Sequence, residues 1–326
     1  MNTALLRRDP QARSIDSVLA VAPDVFCVQL SLVNAYLYGT PRAGDRQWAL
    51  IDTGLPTSGK RIIEAAAERF GEDARPAAIL LTHGHFDHRG AVRQLADLWD
   101  APVYAHHLEL PYLTGRSDYP PPDPTVGGGA MARLSPLYPR RAIDLGDRIQ
   151  ALPEDGGVPG MPGWRWIHTP GHTPGHVSFF RDQDRVLIAG DAFVTQRQES
   201  ALAVLQRWPE VSRPPAYFTP DWNAAQRSVE ELAALRPSVA ATGHGIPLHG
   251  EWMRRQLEDL AEHFELEIPR DGRYGRQPAL ADDNGVLALP PPVSKGLPAA
   301  LLLATGLLAL TGVALMRRRR ALQTAW

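Results

Sequence analysis

The sequence contains a single cysteine among its 326 residues, which excludes an internal disulfide and a zinc site built from paired cysteines. Cys27 lies in a short apolar stretch and is predicted to be a buried strand residue. Basic residues are not in excess either. The last 30 residues hold four Arg and no acid, which leaves residues 1–296 with 30 basic against 36 acidic side chains. This balance argues against a domain that grips nucleic-acid phosphates, so no nucleic-acid partner is expected.

Long apolar runs are also scarce, and the N-terminal residues show no secretory hydrophobic segment. One run stands out, Leu297 to Met316, in which 20 residues carry no charged side chain before four consecutive Arg. At about 1.5 Å rise per residue it would cover a bilayer core of about 30 Å, which predicts a transmembrane helix; a buried core helix is the alternative. The Arg cluster favours an exported domain. The missing export signal favours a cytoplasmic domain on a single-pass C-terminal membrane anchor, which is our expectation.

The first part of the chain alternates between strand and helix patterns. Short runs rich in β-branched and aromatic residues predict three strands within residues 24–56, and a helical period follows over residues 58–70. The run "AAILLTHGH" predicts a strand buried on both faces that exits into a site. An amphipathic helix, "GAVRQLADLWD", and a strand, "APVYAH", come next. This order favours an α/β architecture.

Residues 114–163 are rich in Pro and Gly, with a possible short helix near residues 131–137, and a loop region of this length is expected to cover a site. Three strands, a helix over 221–235, a last strand and a helix over 250–265 are predicted after it. The predicted organisation is a domain over residues 1–268, a linker over 269–296, the membrane helix over 297–316 and a basic tail over 317–326.

The stretch "LTHGHFDH" places His83, His85, Asp87 and His88 within six positions. Imidazole nitrogens and a carboxylate oxygen are ligands that suit Zn, Fe or Mn. A solvated histidine-rich loop is the alternative, but such a loop does not normally end a buried strand and open a helix. The pattern therefore predicts a metal site.

Three further ligand candidates follow predicted strands, each close to a glycine that permits close approach of the backbone to an ion. They are His172 in "HTPGHTPGH", Asp191 in "LIAGDAF" and His244 in "ATGHGIP". Each signal alone is weak, because a polar residue after a strand is more often part of a turn.

Together these residues resemble the metallo-β-lactamase superfamily of hydrolases, and "LIDTG" at residues 50–54 matches its first motif. The resemblance covers roughly residues 20–265 and implies a four-layer αβ/βα sandwich with metals at the edge between two sheets. It further implies that one metal is held by His83, His85 and His172, that a second is held by Asp87, His88 and His244, and that Asp191 bridges them. Two Zn²⁺ per chain are expected, with Fe or Mn as alternatives.

A metal pair of this kind lowers the pKa of a shared water toward about 7 and polarises the substrate, so hydrolysis of a small molecule is the expected reaction. Asp87 is the predicted catalytic residue, which orients the nucleophile and moves a proton to the leaving group. Asp52 is expected to orient the metal loop or a ligand histidine, and His176 to be a structural partner. The other histidines outside the ligand set are interpreted as surface or core residues: His106, His107, His168, His249 and His263.

The form "HTPGHTPGH" resembles the glyoxalase II-like and lactonase-like branches, which implies an ester, thioester or lactone substrate. Asp191 argues against a true β-lactamase, since those enzymes generally lack this bridging residue. Two other enzyme functions are alternatives: a phosphodiester hydrolase, and a persulfide dioxygenase with one iron held by His83, His172 and Asp191. A non-catalytic binding module is a third alternative. Substrate contacts are predicted for three residues that follow the Asp191 loop: Arg197, Tyr217 and Phe218.

Overall fold

Two β-sheets carry the fold in the computed structural model, which describes residues 18–206 and 208–293. The first sheet has seven strands in chain order, antiparallel through the fourth and parallel from there on. They are β1 (Val18–Ala22), β2 (Val25–Gln29), β3 (Asn34–Tyr38), β4 (Ala49–Ile51), β5 (Ala78–Leu80), β6 (Val103–Ala105) and β7 (Ile149–Ala151).

The second sheet has five strands, in the spatial order β12-β11-β10-β9-β8, and a separate hairpin follows it in the chain. Within this sheet only β10 and β11 run parallel. The strands are β8 (Trp164–His168), β9 (Val177–Arg181), β10 (Val186–Gly190), β11 (Val239–Thr242) and β12 (Leu248–His249), and the hairpin pairs β13 (Leu280–Asp282) with β14 (Gly285–Ala288).

Helices connect the strands, and the four long ones follow the periodic apolar stretches of the sequence. The described helices are α1 (Gly59–Phe70), α2 (Val92–Trp99), α3 (Leu110–Leu113), α4 (Ala130–Leu134), α5 (Ala201–Gln206), α6 (Trp222–Ala234), α7 (Gly250–Glu262) and α8 (Phe264–Glu267). Asp221 caps α6, because its side chain accepts a hydrogen bond from the backbone N–H of Ala224 at 2.9 Å.

Three buried clusters show how these elements stack. One lies between the first sheet and the helices α1 and α2, and another lies between the second sheet and α6 and α7. The third joins the two sheets directly, with Cys27 and Ile51 from the first sheet and Phe179 and Ile188 from the second. The layers are therefore helix, sheet, sheet and helix, which is the α/β sandwich that the resemblance implied, and Cys27 is buried as predicted.

Hydrogen bonds join the two sheets near one edge. The backbone N–H of Asn34 donates to the carbonyl of Gly243 at 2.8 Å, and the Tyr36 hydroxyl donates to the carbonyl of Thr242 at 2.6 Å. On the other side of the same edge, the N–H of Val177 donates to the carbonyl of Thr82 at 2.9 Å. These contacts fix the loops that leave the strands at this edge.

The prediction of a transmembrane helix is wrong. The single-pass anchor, the membrane partner and the cytoplasmic placement of the domain depended on that helix and are withdrawn with it. Across residues 18–206 and 208–293, no helix is long and apolar enough to cross a bilayer. The longest helices there have 13 residues, which at about 1.5 Å per residue span less than a bilayer core of about 30 Å. Residues 297–316 lie outside the described residues.

The stretch predicted as a linker, residues 269–296, contains ordered contacts in its described part. Tyr274 is buried, and its hydroxyl donates to the carbonyl of Pro121 at 2.6 Å. The compact unit that contains both sheets extends to Pro291, so most of the predicted linker belongs to it. The boundary at residue 268 stays a prediction from the sequence.

Candidate metal centre

The polar residues singled out in the sequence follow strands that end at the same edge. Asp52 comes directly after β4, and His83 follows the parallel strand β5 by three positions. In the second sheet, Asp191 and His244 follow the parallel strands β10 and β11. Because parallel strands place their carboxyl ends together and the sheets are stacked, side chains from both sheets meet here.

Three histidines form the first group of converging nitrogen atoms. His83, His85 and His172 are buried and place one ring nitrogen each within 4.8 Å of the others. His85 Nδ1 and His172 Nε2 lie 2.9 Å apart, which is hydrogen-bond distance. Two nitrogens bound to one tetrahedral ion at about 2.0–2.1 Å lie about 3.3–3.4 Å apart, so an increase of a few tenths of an ångström would bring this pair to the spacing of two ligands of one metal.

A second group consists of Asp87, His88 and His244, whose ligand atoms also lie within 4.8 Å of one another. His244 Nε2 is 3.6 Å from Asp87 Oδ2. The two histidines are buried, whereas the side chain of Asp87 keeps 17% of its exposure. Asp87 is thus the ligand candidate with access to solvent.

Asp191 lies between the two groups. Its Oδ2 atom is 3.4 Å from His172 Nε2, 3.5 Å from His88 Nε2 and 3.1 Å from His244 Nε2. One carboxylate oxygen therefore faces nitrogen atoms of both groups, and a third converging set joins His83, His88 and Asp191.

Several buried polar atoms at this centre have no hydrogen-bond partner among the described residues. They include His83 Nε2, His88 Nε2 and Asp191 Oδ1. Buried polar atoms are normally satisfied, so atoms of this kind that point to a common centre fit a bound cation. The donor set of imidazole nitrogens and carboxylate oxygens fits Zn, Fe or Mn.

The pKa values at the centre divide the histidines into two kinds. Burial lowers the pKa of His83 and His85 well below the usual histidine value, and lowers that of His172 to about 3. For His88 and His244, burial acts in the same direction, but the negative charge of Asp191 outweighs it. The pKa values of these two histidines are therefore raised above the usual histidine value. The first group therefore consists of neutral imidazoles, the form that binds metal.

Neighbouring polar groups fix the orientation of the ligand candidates. Asp52 Oδ1 accepts from the N–H of Thr82 and Oδ2 accepts from the Thr82 hydroxyl, each at 2.8 Å. The same Oδ2 lies 2.8 Å from His88 Nδ1, which leaves Nε2 of that ring facing the centre. His244 Nδ1 lies 2.7 Å from the carbonyl of Leu32 with the same effect. These contacts match the orienting role predicted for Asp52.

His176 forms a hydrogen bond with the backbone of Asp191, and neither of its ring nitrogens faces the other ligand candidates. Its Nε2 accepts a hydrogen bond from the backbone N–H of Asp191 at 2.8 Å, and its Nδ1 lies 2.9 Å from the Thr169 hydroxyl. With both ring nitrogens occupied, His176 has the structural role predicted for it. The Asp191 carboxylate also requires a glycine beside it, since a Cβ at Gly243 would lie 2.1 Å from Asp191 Oδ1.

Glu109 is a buried acid that the sequence reasoning missed. It lies in a short 3-10 turn, His107–Glu109, after β6, and both of its oxygens contact the histidine loops. Burial raises its pKa, while hydrogen bonds from Tyr119, Thr173 and two backbone N–H groups lower it. An acid after a strand is a common surface feature, so no pattern marked this one.

A narrow, partly open cavity lies beside His85 and His172, and its volume of about 10 Å³ is room for about one water molecule. Prolines and aromatic rings line the rest of it: Tyr119, Pro120, Pro121, Pro174, Tyr217, Phe218, Pro220 and Tyr274. Residues 119–121 belong to the loop region predicted to cover a site. No Lys, Arg, Asp or Glu lines this cavity in the described part of the chain.

The three predicted substrate residues have different positions. The Phe218 ring is centred 4.8 Å from the His85 ring, and Tyr217 packs beside it with ring centroids 5.1 Å apart. Arg197 is exposed, and its guanidinium donates to Glu210 at 3.0 Å. Arg197 therefore points toward Glu210 at the surface and is not part of the cavity wall.

An α/β sandwich with histidine and aspartate ligand atoms converging at the edge of two stacked sheets defines a metal-binding enzyme domain. Comparison with known sequences identifies the family to which this domain belongs. A family model described as the metallo-beta-lactamase superfamily matches residues 28–244. The chain therefore belongs to the metallo-beta-lactamase superfamily.

The curated relatives agree with this membership. The chain is 49% identical over 243 residues to a protein of Bacillus subtilis (strain 168) named probable metallo-hydrolase YflN, which covers 74% of this chain and 92% of that protein. It is 29% identical over 196 residues to probable metallo-hydrolase YybB of the same organism, covering 60% of this chain and 74% of that one. The protein is a metallo-hydrolase of this family.

Solved structures share the fold. A metallo-beta-lactamase family protein from Thermus thermophilus superposes with a TM-score of 0.50 at 25% identity and covers 77% of this chain and 83% of its own. A beta-lactamase domain protein from Burkholderia ambifaria gives a TM-score of 0.52 at 22% identity, with 80% and 82% covered. The second likeness concerns the fold alone.

Proposed function

We propose that this metallo-hydrolase uses a dinuclear metal centre to cleave an ester, thioester or lactone bond in a small molecule. The observation that carries the proposal is the position of Asp191, whose Oδ2 lies 3.1–3.5 Å from nitrogen atoms of both ligand groups. A carboxylate shared in this way fits a bridge between two cations. Without cations, its Oδ1 atom is buried with no hydrogen-bond partner among the described residues.

In this proposal, His83, His85 and His172 hold the first ion, and Asp87, His88 and His244 hold the second. Zn²⁺ is the ion proposed, although Fe and Mn suit the same donors. Two such ions would supply a water with a pKa near 7 and a positive field on the carbonyl oxygen of the substrate.

Asp87 is the proposed catalytic residue, which orients the attacking water and passes a proton to the leaving group. It has partial solvent access, which its neighbours His88 and His244 lack. Burial and the negative charge of Asp87 raise the pKa of the Tyr138 and Tyr217 hydroxyls, so Asp87 lies near both rings. Because Tyr217 also lines the cavity, this proximity supports a proton acceptor near the space for a substrate.

The cavity favours an uncharged group next to the bond that is cut. Its wall consists of proline and aromatic side chains with the two histidines, and no charged residue of the part of the chain that the structure describes lines it to pair with a phosphate or a carboxylate. Tyr217 and Phe218 are proposed to contact the substrate there. This supports a carbonyl substrate with an apolar neighbouring group over a phosphodiester.

Metal analysis of the purified protein, combined with a hydrolysis screen, tests the proposal. The screen compares lactones, glutathione thioesters, phosphodiesters and a β-lactam. Two Zn²⁺ per chain with turnover of a lactone or thioester is the expected result. One iron per chain with consumption of O₂ would instead support the dioxygenase alternative, and a protein that binds no metal would contradict both.

A further inference from the structure

Glu109 connects the two loops that carry the first group of histidines. Its Oε2 atom accepts a hydrogen bond from the N–H of Gly84, the residue between His83 and His85, at 2.9 Å. Its Oε1 atom accepts from the N–H of Gly175 at 2.9 Å and from the hydroxyl of Thr173 at 2.7 Å. Thr173 directly follows His172 in the chain.

A carboxyl group satisfies this arrangement, and an amide does not. Each oxygen of Glu109 accepts one backbone N–H, and a backbone N–H can donate but cannot accept. A glutamine in the same place would turn its NH₂ group toward either Gly84 or Gly175, so one donor would face another in both orientations. Both acceptor oxygens of Glu109 are therefore needed to hold the two loops at once.

Close packing supports the same role. A Cβ atom at Gly175 would lie 2.7 Å from the backbone nitrogen of Glu109, and a Cβ at Gly84 would lie 2.4 Å from the Tyr119 hydroxyl. The Tyr119 hydroxyl itself donates to Glu109. The loop with Gly175 thus approaches the turn that carries Glu109, and the loop with Gly84 approaches its partner Tyr119, more closely than a side chain would allow.

We propose that Glu109 is a positioning residue that sets the spacing of His83, His85 and His172 and thereby the metal affinity of this group alone. The second group has its own partners, since His88 contacts Asp52 and His244 contacts the carbonyl of Leu32. The inference rests on the proposed dinuclear function, because selectivity between two sites has meaning only if both bind metal.

The test is a titration of the metal-free full-length protein with Zn²⁺ in competition with a chromophoric chelator. For Glu109→Gln, one of the two ions is expected to bind about tenfold more weakly, while the other keeps its affinity. This is the lower end of the range for replacing a direct partner of a ligand, because Glu109 acts through the loop backbone. Unfolding by urea, followed on the metal-free protein, measures the general loss of stability separately.

Asp123→Asn is the matched control. Asp123 is also buried, and each of its oxygens also accepts a backbone N–H, from Thr125 and from Arg273. The same replacement of a carboxylate by an amide should therefore destabilise the fold in a comparable way. Because Asp123 contacts neither histidine loop, Asp123→Asn is expected to bind both zinc ions with the affinity of the wild type.

Two further variants keep the test decisive. Thr173→Val removes one hydroxyl donor and leaves the backbone contacts, so it should weaken the same ion several-fold even if Glu109→Gln does not fold. In a His244→Ala background, which retains the first group, Glu109→Gln should weaken the zinc ion that remains. These variants identify the affected site.

Binding of both ions by Glu109→Gln within about twofold of wild type, or equal weakening of both ions, would overturn the inference. A wild-type protein that binds one zinc ion would contradict the dinuclear proposal, yet a weaker ion in Glu109→Gln would still support the role of Glu109 there. A wild-type protein that binds none would overturn both.

Discussion

At the scale of single residues, the orientation of each ligand candidate depends on a partner behind it. Asp52 accepts hydrogen bonds from Thr82 and contacts His88 Nδ1, and it does so with a left-handed backbone, at φ 57°. A non-glycine residue in this conformation is strained, and such strain persists only where the surrounding structure holds it in place.

Replacement of this residue should act on the second ligand group. In Asp52→Asn an amide NH₂ facing His88 would favour the other tautomer, which places the hydrogen on Nε2 and blocks that atom as a ligand. We expect zinc affinity at one site to fall about 10–100-fold, measured by competition titration. The buried control Asp123→Asn should bind normally, and unchanged affinity in Asp52→Asn would contradict the orienting role.

The aromatic wall gives a prediction for the substrate. Phe218→Ala removes the ring centred 4.8 Å from His85, so KM for the best substrate of the hydrolysis screen should rise about tenfold with metal content unchanged. Arg197→Ala serves as the comparison. Since Arg197 pairs with Glu210 at the surface, its loss should leave KM within about twofold. Equal effects of both variants would refute this assignment of the wall.

Sequence reasoning at this scale was effective for side chains with unusual chemistry. Histidines and aspartates next to glycine at strand ends marked the centre, whereas Glu109 did not stand out. Its function depends on two loops that are distant in sequence, so nothing local distinguishes it from a solvated acid. Whether the marked residues all bind metal stays a prediction until an ion is measured.

At the scale of helices and strands, the packing of α7 against the second sheet can be tested by replacing a buried residue of this helix. Leu257 in α7 is 1% exposed and lies in the cluster that contains α6. Leu257→Ala should lower the free energy of unfolding by about 2–5 kcal/mol, because it leaves a cavity in that cluster.

Urea unfolding measures this loss, and Leu266→Ala is its control. Leu266 is 81% exposed, so its replacement should change the stability by less than about 0.5 kcal/mol. Metal content should be the same in both variants, since both residues belong to helices outside the ligand loops, Leu257 to α7 and Leu266 to α8. A Leu257→Ala protein as stable as the control would show that α7 is not packed as described.

Most helices lie within a few residues of their predicted ranges, because an apolar period defines them locally. The run "AAILLTHGH" was predicted as one strand, but only Ala78–Leu80 is a strand. The following residues leave the ladder to present His83 and His85 to the centre. The hairpin of β13 and β14 was missed although the sequence Asp-Asn-Gly at its turn is a hairpin signal.

At the scale of the whole molecule, the centre exists because two sheets are stacked. His83 and His244 come from different sheets, and the contact between Asn34 and Gly243 holds the sheets together at this edge. Periodicity predicted separate strands and helices, but only the family resemblance implied their four-layer order. The membrane anchor was the wrong prediction at this scale. It was based on the length of one apolar run and the Arg cluster after it, whereas no helix of the described residues is long and apolar enough to cross a bilayer.

Buried neutral histidines make stability depend on pH. Burial lowers the pKa of His172 to about 3, against about 6.5 in an unfolded chain, and it lowers the pKa of His83, His85 and His176 as well. Between these values the unfolded state binds more protons, so stability falls as the pH falls below about 6.5. A fully buried histidine contributes up to about 1.4 kcal/mol per pH unit in this window.

The metal-free protein should therefore unfold at a lower urea concentration at pH 5 than at pH 7. His88 and His244 have raised pKa values and oppose this trend, because their contribution is lost as the pH rises. The histidines with lowered pKa values outnumber them, and the net effect should be destabilisation in acid. An equal or higher urea midpoint at pH 5 would contradict the neutral state of the first group.

The central claim is that ligands from both sheets form two metal sites bridged by Asp191. A crystal structure of the zinc-loaded protein, with anomalous scattering recorded at the zinc edge, tests this most directly. We expect two peaks about 3.5–4 Å apart, one beside His83, His85 and His172 and the other beside Asp87, His88 and His244, with Asp191 between them. A single peak, or two peaks that Asp191 does not bridge, would contradict it.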